Sequence, residues 1–398
     1  MASQQPFSLQ LERGFLLLLI FLLPLTTAHV VERPFAVSGV EILEVFYLVV
    51  AGWNRLRKVV EWKLPTDRKA LWVIGSLLVV LAYALLFTHP LRSGIGFWVG
   101  RVALPLLTAL STYQLLRAKH VKVDMIFYAL YLSLIPQIIW GGLQLMHLLP
   151  FNDPGRVTAA YRWPDSFGRI VELLLLATLP WILRTARYRL IVWGLGALTM
   201  LASLSYGVVY SFVLALFCGL WLLPKRYRMA QVTATVLLMV GASTVALFSH
   251  KLLTWHYGIE ASVIIRAQFW SIALSTIYDH LFTGIGLKGW ELQYPHLVQQ
   301  YGGHLGRILA GTSEQPQNFF LDSLLKAGIP GLLAITAFPL LLLYRGYQSA
   351  RQGQWLGFSV FACAVSLLFF GLLDDPLWSD EVMPLLFILL ACILRDEA

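Results

Sequence analysis

Charge is scarce in this chain. Only 13% of its 398 residues are Asp, Glu, Lys or Arg, against roughly 25% in an ordinary soluble domain. With 58% hydrophobic residues beside that shortage, a soluble globular enzyme is excluded and an all-α integral membrane protein is expected. Cysteine is equally rare: Cys218, Cys363 and Cys392 all lie inside apolar runs, which leaves neither a disulfide framework nor a cysteine metal site. No phosphate-binding glycine loop ending in Lys-Ser or Lys-Thr occurs, nor a His pair with Glu in zinc spacing, nor a Gly-x-Ser-x-Gly elbow; a nucleotide-driven pump is therefore not indicated. The net charge of +9 does not point to nucleic acid, because the Lys and Arg cluster between apolar segments.

Those segments are what the sequence has in abundance. Windows long enough to cross about 30 Å of hydrocarbon fall near 14–31, 39–54, 70–88, 93–116, 123–149, 168–184, 189–204, 206–224, 229–249, 329–345, 354–373 and 381–394. The first resembles a signal peptide but, followed by so many similar segments, is expected to stay as a span. The second and last are short and need tilt or burial within the bundle. Clusters such as Arg55, Arg57, Lys58 and Lys63, then Arg117, Lys119 and Lys122, then Lys225, Arg226 and Arg228 fall in alternate connections. The positive-inside rule makes that side, and both termini, cytoplasmic.

The opposite face carries a medium loop, 150–167, and a long one, 250–328. The long loop is rich in aromatics and periodic leucines, so short helices packed over the bundle are expected rather than a disordered linker. The chain thus divides into 1–249 with nine spans, 250–328 as the outer loop, and 329–398 with three spans. Positive residues on this depleted face demand an explanation: Arg156, Arg162, Arg169, Lys251, Arg266, Lys288 and Arg307. Guanidinium forks match phosphate oxygens in pairs, so a phosphate or diphosphate headgroup is the expected partner. Within spans, Arg101 and Glu172 suggest either a pair with each other or a place beside that headgroup. Asp374, Asp375, Asp380 and Glu381 in the last outer loop could balance the Arg cluster or meet a basic acceptor.

In "RAQFWSIALSTIYDHLFTGIGLKGW", residues 266–290, Arg266, Trp270 and Leu274 share a stripe at spacing four before the chain breaks at Gly284-Ile285-Gly286. Gln317-Asn318 follow, then nine residues, then Gly328-Ile329-Pro330-Gly331. In this order and spacing the segment resembles the O-antigen ligase and polymerase superfamily, as does, loosely, the layout of twelve spans with a large outer loop before the tenth. The family pattern has His, then Asn, Ser or Gln, nine residues, and Gly-x-x-Gly; here Gln317 stands where that His belongs. Ser205-Tyr206-Gly207 likewise stands where relatives often show Ser-Arg-Gly.

The resemblance implies a glycosyltransferase of GT-C-like architecture in a bacterial inner membrane. Its donor would be a glycan on undecaprenyl diphosphate, its acceptor a sugar hydroxyl of the lipid A core, its active site periplasmic, and no cofactor or metal would be needed. A polysaccharide polymerase of the same superfamily is the runner-up. A lipid-linked glycan transporter is the alternative from another class, although it should show polar gates on both faces. Arg266 falls at the matching position for the diphosphate, with Arg162, Arg169, Arg101 and Lys288 as further candidates. Gln317 and Asn318 would face the acceptor, but an amide cannot take a proton at neutral pH, which leaves His304 as the nearest replacement base. Asp322 and Lys326 are expected to pair at spacing four on the wet side of a short helix that turns into the tenth span at Gly328–Gly331.

Overall fold

A computed structural model of the chain describes residues 6–25, 29–31, 37–150, 157–159, 161, 164–185, 187–203, 205–220, 222, 236, 259–301 and 315–395. Their regular elements are helices apart from one short antiparallel ribbon of β1 (His29–Val31) and β2 (Val37–Ser38). The helices are α1 (Phe7–Leu22), α2 (Gly39–Leu56), α3 (Arg68–Leu85), α4 (Leu91–Trp98), α5 (Leu104–Arg117), α6 (Val123–Leu132), α7 (Leu134–Leu145), α8 (Pro164–Thr185), α9 (Leu190–Ala202), α10 (Tyr206–Leu220), α11 (Ile259–Asp279), α12 (Gly289–Tyr301), α13 (Phe319–Arg351), α14 (Trp355–Phe370) and α15 (Val382–Leu394).

Among the described residues, six stretches are long and apolar enough to cross a membrane: Phe7–Leu25, Arg68–Leu85, Leu91–Arg117, Val123–Leu145, Asp165–Thr185 and Phe319–Arg351. Four shorter apolar helices accompany them, Leu190–Ala202, Tyr206–Gly219, Trp355–Phe370 and Val382–Leu394. The protein is therefore a multi-pass membrane protein. Apart from Val236, the ninth expected span, 229–249, lies outside the described residues. Val79, Ile191 and Leu333 are each more than 60% exposed, an arrangement that hydrocarbon rather than water would favour. The short last helix is accommodated by burial, since every residue of α15 is covered.

Prolines set the interruptions. Pro105 has no N–H for the carbonyl of Arg101, and a π-helical turn, Val99–Ala103, separates α4 from α5 just ahead of it. Pro136 stands in the same relation to Leu132, and the break at Ser133 between α6 and α7 follows. In α13 the helix starts at Asn318, whose side-chain oxygen accepts from the N–H groups of Phe320 and Leu321, both 3.0 Å away. It leaves helical geometry at Ala327 and Gly328 and resumes with Pro330 in its new first turn, where a missing N–H costs nothing. The expected turn at Gly328–Gly331 is thus a kink inside one long helix. Beyond it, α13 packs against α3 and α14, with Gly346 and Gly357 bringing two backbones together.

One charge expected in a loop lies elsewhere. Arg55 is inside α2 and buried, paired with Glu12 of α1 and donating to Gln114 of α5 at 2.8 Å. Neutralised and fully hydrogen-bonded, it fastens three helices together instead of contributing to the surface charge.

Candidate functional site

The site is assembled by two glycine turns that pack on each other. Gly284 (φ +63) lies against the backbone of Leu325–Ala327, and Gly328 (φ +63) against the backbone of Leu281 and Phe282, with less than 3 Å to spare for any Cβ. Two hydrogen bonds close the contact, Ile285 N–H to the Leu325 carbonyl at 2.6 Å and Ile329 N–H to the Leu281 carbonyl at 2.9 Å. Only glycine combines this backbone angle with so close an approach. Just beyond, Leu287 N–H donates to Thr88 Oγ1 at 3.0 Å, which docks the turn on the end of α3. The two motif segments, 44 residues apart at their glycines by numbering (328 − 284), are therefore one structural unit.

Around this unit α11, α12 and the first piece of α13 build a small core of their own, containing Phe269, Ile272, Ile277, Trp290, Tyr294 and Leu325. The buried face of α11 runs through Phe269, Ile272, Ala273 and Ile277, one step round from the expected stripe: Leu274 is 55% exposed. Arg266 and Trp270 sit at the edge of that face, half-buried. Trp270 Nε1 donates to the Gln317 carbonyl at 3.3 Å, so Arg266, one turn earlier, is brought to the start of α13.

Gln317 itself adopts φ +51, a left-handed conformation that turns the chain into the helix. Asn318, besides capping α13, donates from Nδ2 to the Leu372 carbonyl at 2.9 Å. Phe319 N–H reaches the carbonyls of Gly371 and Asp374 at 2.8 and 3.0 Å. The Asn318 side chain thus ties the motif to loop 371–381.

That acidic loop gathers the cations. Arg169 of α8 lies 3.9 Å from Asp374 and donates to the Asp375 carbonyl at 3.5 Å. Arg266 interacts electrostatically with Asp374. Arg101, carried on the π-helical turn, pairs with Asp380 and lies among Glu41, Glu381, Glu291 and Glu44. The Arg101–Glu172 pair suggested by sequence does not form. Glu172 instead accepts hydrogen bonds from Ser211 and Ser366, because it faces α10 and α14 across the bundle while Arg101 faces the loop. Three of the five candidate diphosphate ligands, Arg101, Arg169 and Arg266, thus share one acidic belt.

Burial raises the pKa of Asp374, an effect that Arg169 and Arg266 partly offset. Burial also raises Asp375 well above the carboxylate range, and Asp322 raises it further. Glu381 is raised by burial against the pull of Arg169 and Arg101. The same burial that raises these acids makes each a weaker counter-ion to the arginines beside it.

Lys288 pairs with Glu291 at 3.4 Å, both partly exposed. Asp322 and Lys326 do form the expected pair, but they are only 2% and 6% exposed, not on a wet face. The first piece of α13 is covered by the glycine turn and by loop 371–381, and the Lys326 ammonium lies 5.5 Å from the rings of both Phe97 and Trp378. Lys326, Trp290 and Glu291 were not singled out as site residues by sequence reasoning; the spacing-four Asp322–Lys326 pair was the one signal that could have led there. Arg162 and His304 lie outside the described residues, as do Arg156, Lys251 and Arg307.

Compared with known proteins, the chain matches no curated protein. Residues 190–336 match the family described as O-antigen ligase. That span takes in the helix of Arg266, both glycine turns and the Gln317-Asn318 junction, and over it the resemblance to the O-antigen ligase and polymerase superfamily holds.

Proposed function

We propose that this protein is an O-antigen ligase: it moves a glycan from undecaprenyl diphosphate to a sugar hydroxyl of the lipid A core at the outer face of a bacterial inner membrane. In this reading both termini are cytoplasmic, and residues 250–328 form the periplasmic catalytic loop between spans 1–249 and 329–398. The observation that carries it is the convergence of Arg266, Arg169 and Arg101 on loop 371–381, beside the glycine unit within the matched family segment.

The acceptor oxygen attacks the anomeric carbon, a new C–O bond forms, and the bond from that carbon to the carrier phosphate breaks with its electron pair going to the diphosphate. Arg266 takes the charge that builds on that leaving group, with Arg169 and Arg101 behind it and Arg162 joining from the medium loop. Gln317 orients the acceptor hydroxyl by hydrogen bonding, Asn318 holds the junction, and His304 receives the proton.

The test uses a strain that relies on this protein alone, with its lipopolysaccharide resolved on gels. Polymer attached to the lipid A core is the expected result, whereas single-repeat donor building up on deletion would indicate a polymerase. Arg266→Ala is expected to abolish transfer while the protein inserts normally; retained transfer removes Arg266 from the mechanism.

A further inference from the structure

Helix α11 has two apolar faces, and the described residues cover one of them. Phe269, Ile272, Ala273 and Ile277 pack into the small core. On the opposite side lie Leu274 and Tyr278, and Leu281 and Phe282 continue the stripe through the turn that follows, at the i, i+4, i+7, i+8 spacing of one helical face. Tyr278 is 86% exposed and Phe282 65%. Large apolar side chains left open together mark a surface made for a protein or for a membrane. We propose that this stripe is seated in lipid: the C-terminal end of α11 inserts into the acyl-chain boundary of the leaflet beside the glycine unit, a monotopic anchor within a multi-pass protein.

The place of the stripe in the fold selects the membrane. The Leu281 carbonyl accepts from the Ile329 N–H at 2.9 Å, at the kink where α13 turns into its long apolar run, and Leu333, one turn further along, is exposed. On its other side the segment meets the end of α3. Gly286 stands against Phe87 and Thr88, and Leu86 and Leu91 nearby are exposed. Residues 281–287 are thus held between the ends of two spans, and the stripe prolongs the outward faces that those spans turn to hydrocarbon.

The chemistry of the helix agrees with a shallow insertion. From Ala267 to Tyr278 the chain carries no charged residue, so no ionised group along that face has to leave water. Asp279, a quarter turn round from Tyr278 and exposed, limits the depth; interfacial helices bury their apolar face by only about 5–10 Å. The Tyr278 phenol reaches headgroup level while its ring lies lower, as tyrosines at membrane interfaces do. Arg266 lies eight positions before Leu274 (274 − 266), about 12 Å of helix rise. Anchoring the stripe therefore fixes the height of Arg266 over the lipid surface.

The experiment is electron paramagnetic resonance on the full chain in phospholipid nanodiscs, with a nitroxide label at Tyr278→Cys or at Phe282→Cys. Cys363 and Cys392 are buried and Cys218 is partly buried, so Cys218→Ala suffices as background. Collisions with oxygen, which concentrates in hydrocarbon, are compared with collisions with a water-soluble nickel chelate. The oxygen-to-nickel ratio is expected to be several-fold higher at both positions than at Glu61→Cys, a label in an exposed polar connection. A ratio equal to that control puts the stripe in water, and few collisions with either reagent put it under protein, whether a second copy or another segment of this chain; either result overturns the anchor. Leu274→Cys supplies the same reading should one of the two variants express poorly. The inference stands on the multi-pass architecture, so failure of the transferase reading leaves it untouched.

Discussion

Replacing Gly328 with alanine tests whether the two glycine turns truly hold the site together. The residue sits at φ +63, ψ −154, a region open essentially to glycine, where another residue costs about 1–3 kcal/mol. Its new Cβ would also stand 2.5 Å from the Leu281 carbonyl oxygen and from the Phe282 carbonyl carbon. Backbone cannot rotate away as a side chain can, so residues 281–285 must separate from the kink. Two hydrogen bonds are at stake, Ile329 to Leu281 and Ile285 to Leu325, worth about 1 kcal/mol each. Together these predict a loss of about 3–5 kcal/mol.

Two control positions separate the causes. Gly353 has φ +79 with nothing within 4 Å of a built Cβ, so Gly353→Ala carries backbone strain alone, about 1 kcal/mol. Gly346 carries close packing alone, its Cβ falling 2.5 Å from the Phe361 nitrogen. Thermal inactivation of purified protein in nanodiscs should rank Gly328→Ala well below Gly353→Ala. Gly284→Ala breaks the same contact from the other side, so combining it with Gly328→Ala should add less than its single effect. If Gly328→Ala matches Gly353→Ala, or if the two turn variants add fully, the contact is not what joins the loop to the bundle.

Three further outcomes follow. Gln317→His should raise glycan transfer in the cell-envelope assay, because it restores a group able to take a proton where the chain turns into α13; an unchanged or lower rate would mean that the position does not touch the acceptor. Lys326→Met strands a buried carboxylate and should cost about 3–5 kcal/mol, most of it recovered by adding Asp322→Asn; additive losses in a double-mutant cycle would show that the pair is not coupled. Asp375→Asn addresses pH: the native carboxyl binds its proton more tightly than the unfolded one, so wild-type stability falls as pH rises from the ordinary carboxylate value near 4 toward the raised native one. The variant lacks that loss, and its inactivation midpoint relative to wild type should climb as pH rises above about 4; a constant difference contradicts the assignment.

The helices were legible because hydrophobic contrast is a local signal. Windows at 39–54, 70–88 and 189–204 meet helices at Gly39–Leu56, Arg68–Leu85 and Leu190–Ala202, since the polar residues that flank each run mark its ends within a few positions. Window averaging blurred the interruptions at Val99–Ala103 and Ser133, although Pro105 and Pro136 announce them individually. At the site, the glycines at 284, 286 and 328 marked where the backbone must turn, and the structure uses them so. What no local pattern carries is which distant charge answers which. Arg101 and Asp380 are 279 positions apart by numbering, and hydropathy places both merely near a membrane surface.

That choice of partners has a physical basis of its own. An arginine inside a bundle must find a carboxylate within reach or remain an uncompensated charge at large cost. The acids within reach of Arg101 are fixed by the π-helical turn that carries it, by Gly100, against which the Glu41 carboxylate packs, and by the loop leading into the central helix α15. The same loop supplies Asp374 to Arg169 and its backbone to Asn318 and Phe319. Loop 371–381 is therefore the element through which the bundle and the glycine unit position each other. In the proposed reading, a substrate anion drawn to Arg266 would compete with Asp374 for that guanidinium, so that binding at the site and the order of this loop would be one equilibrium.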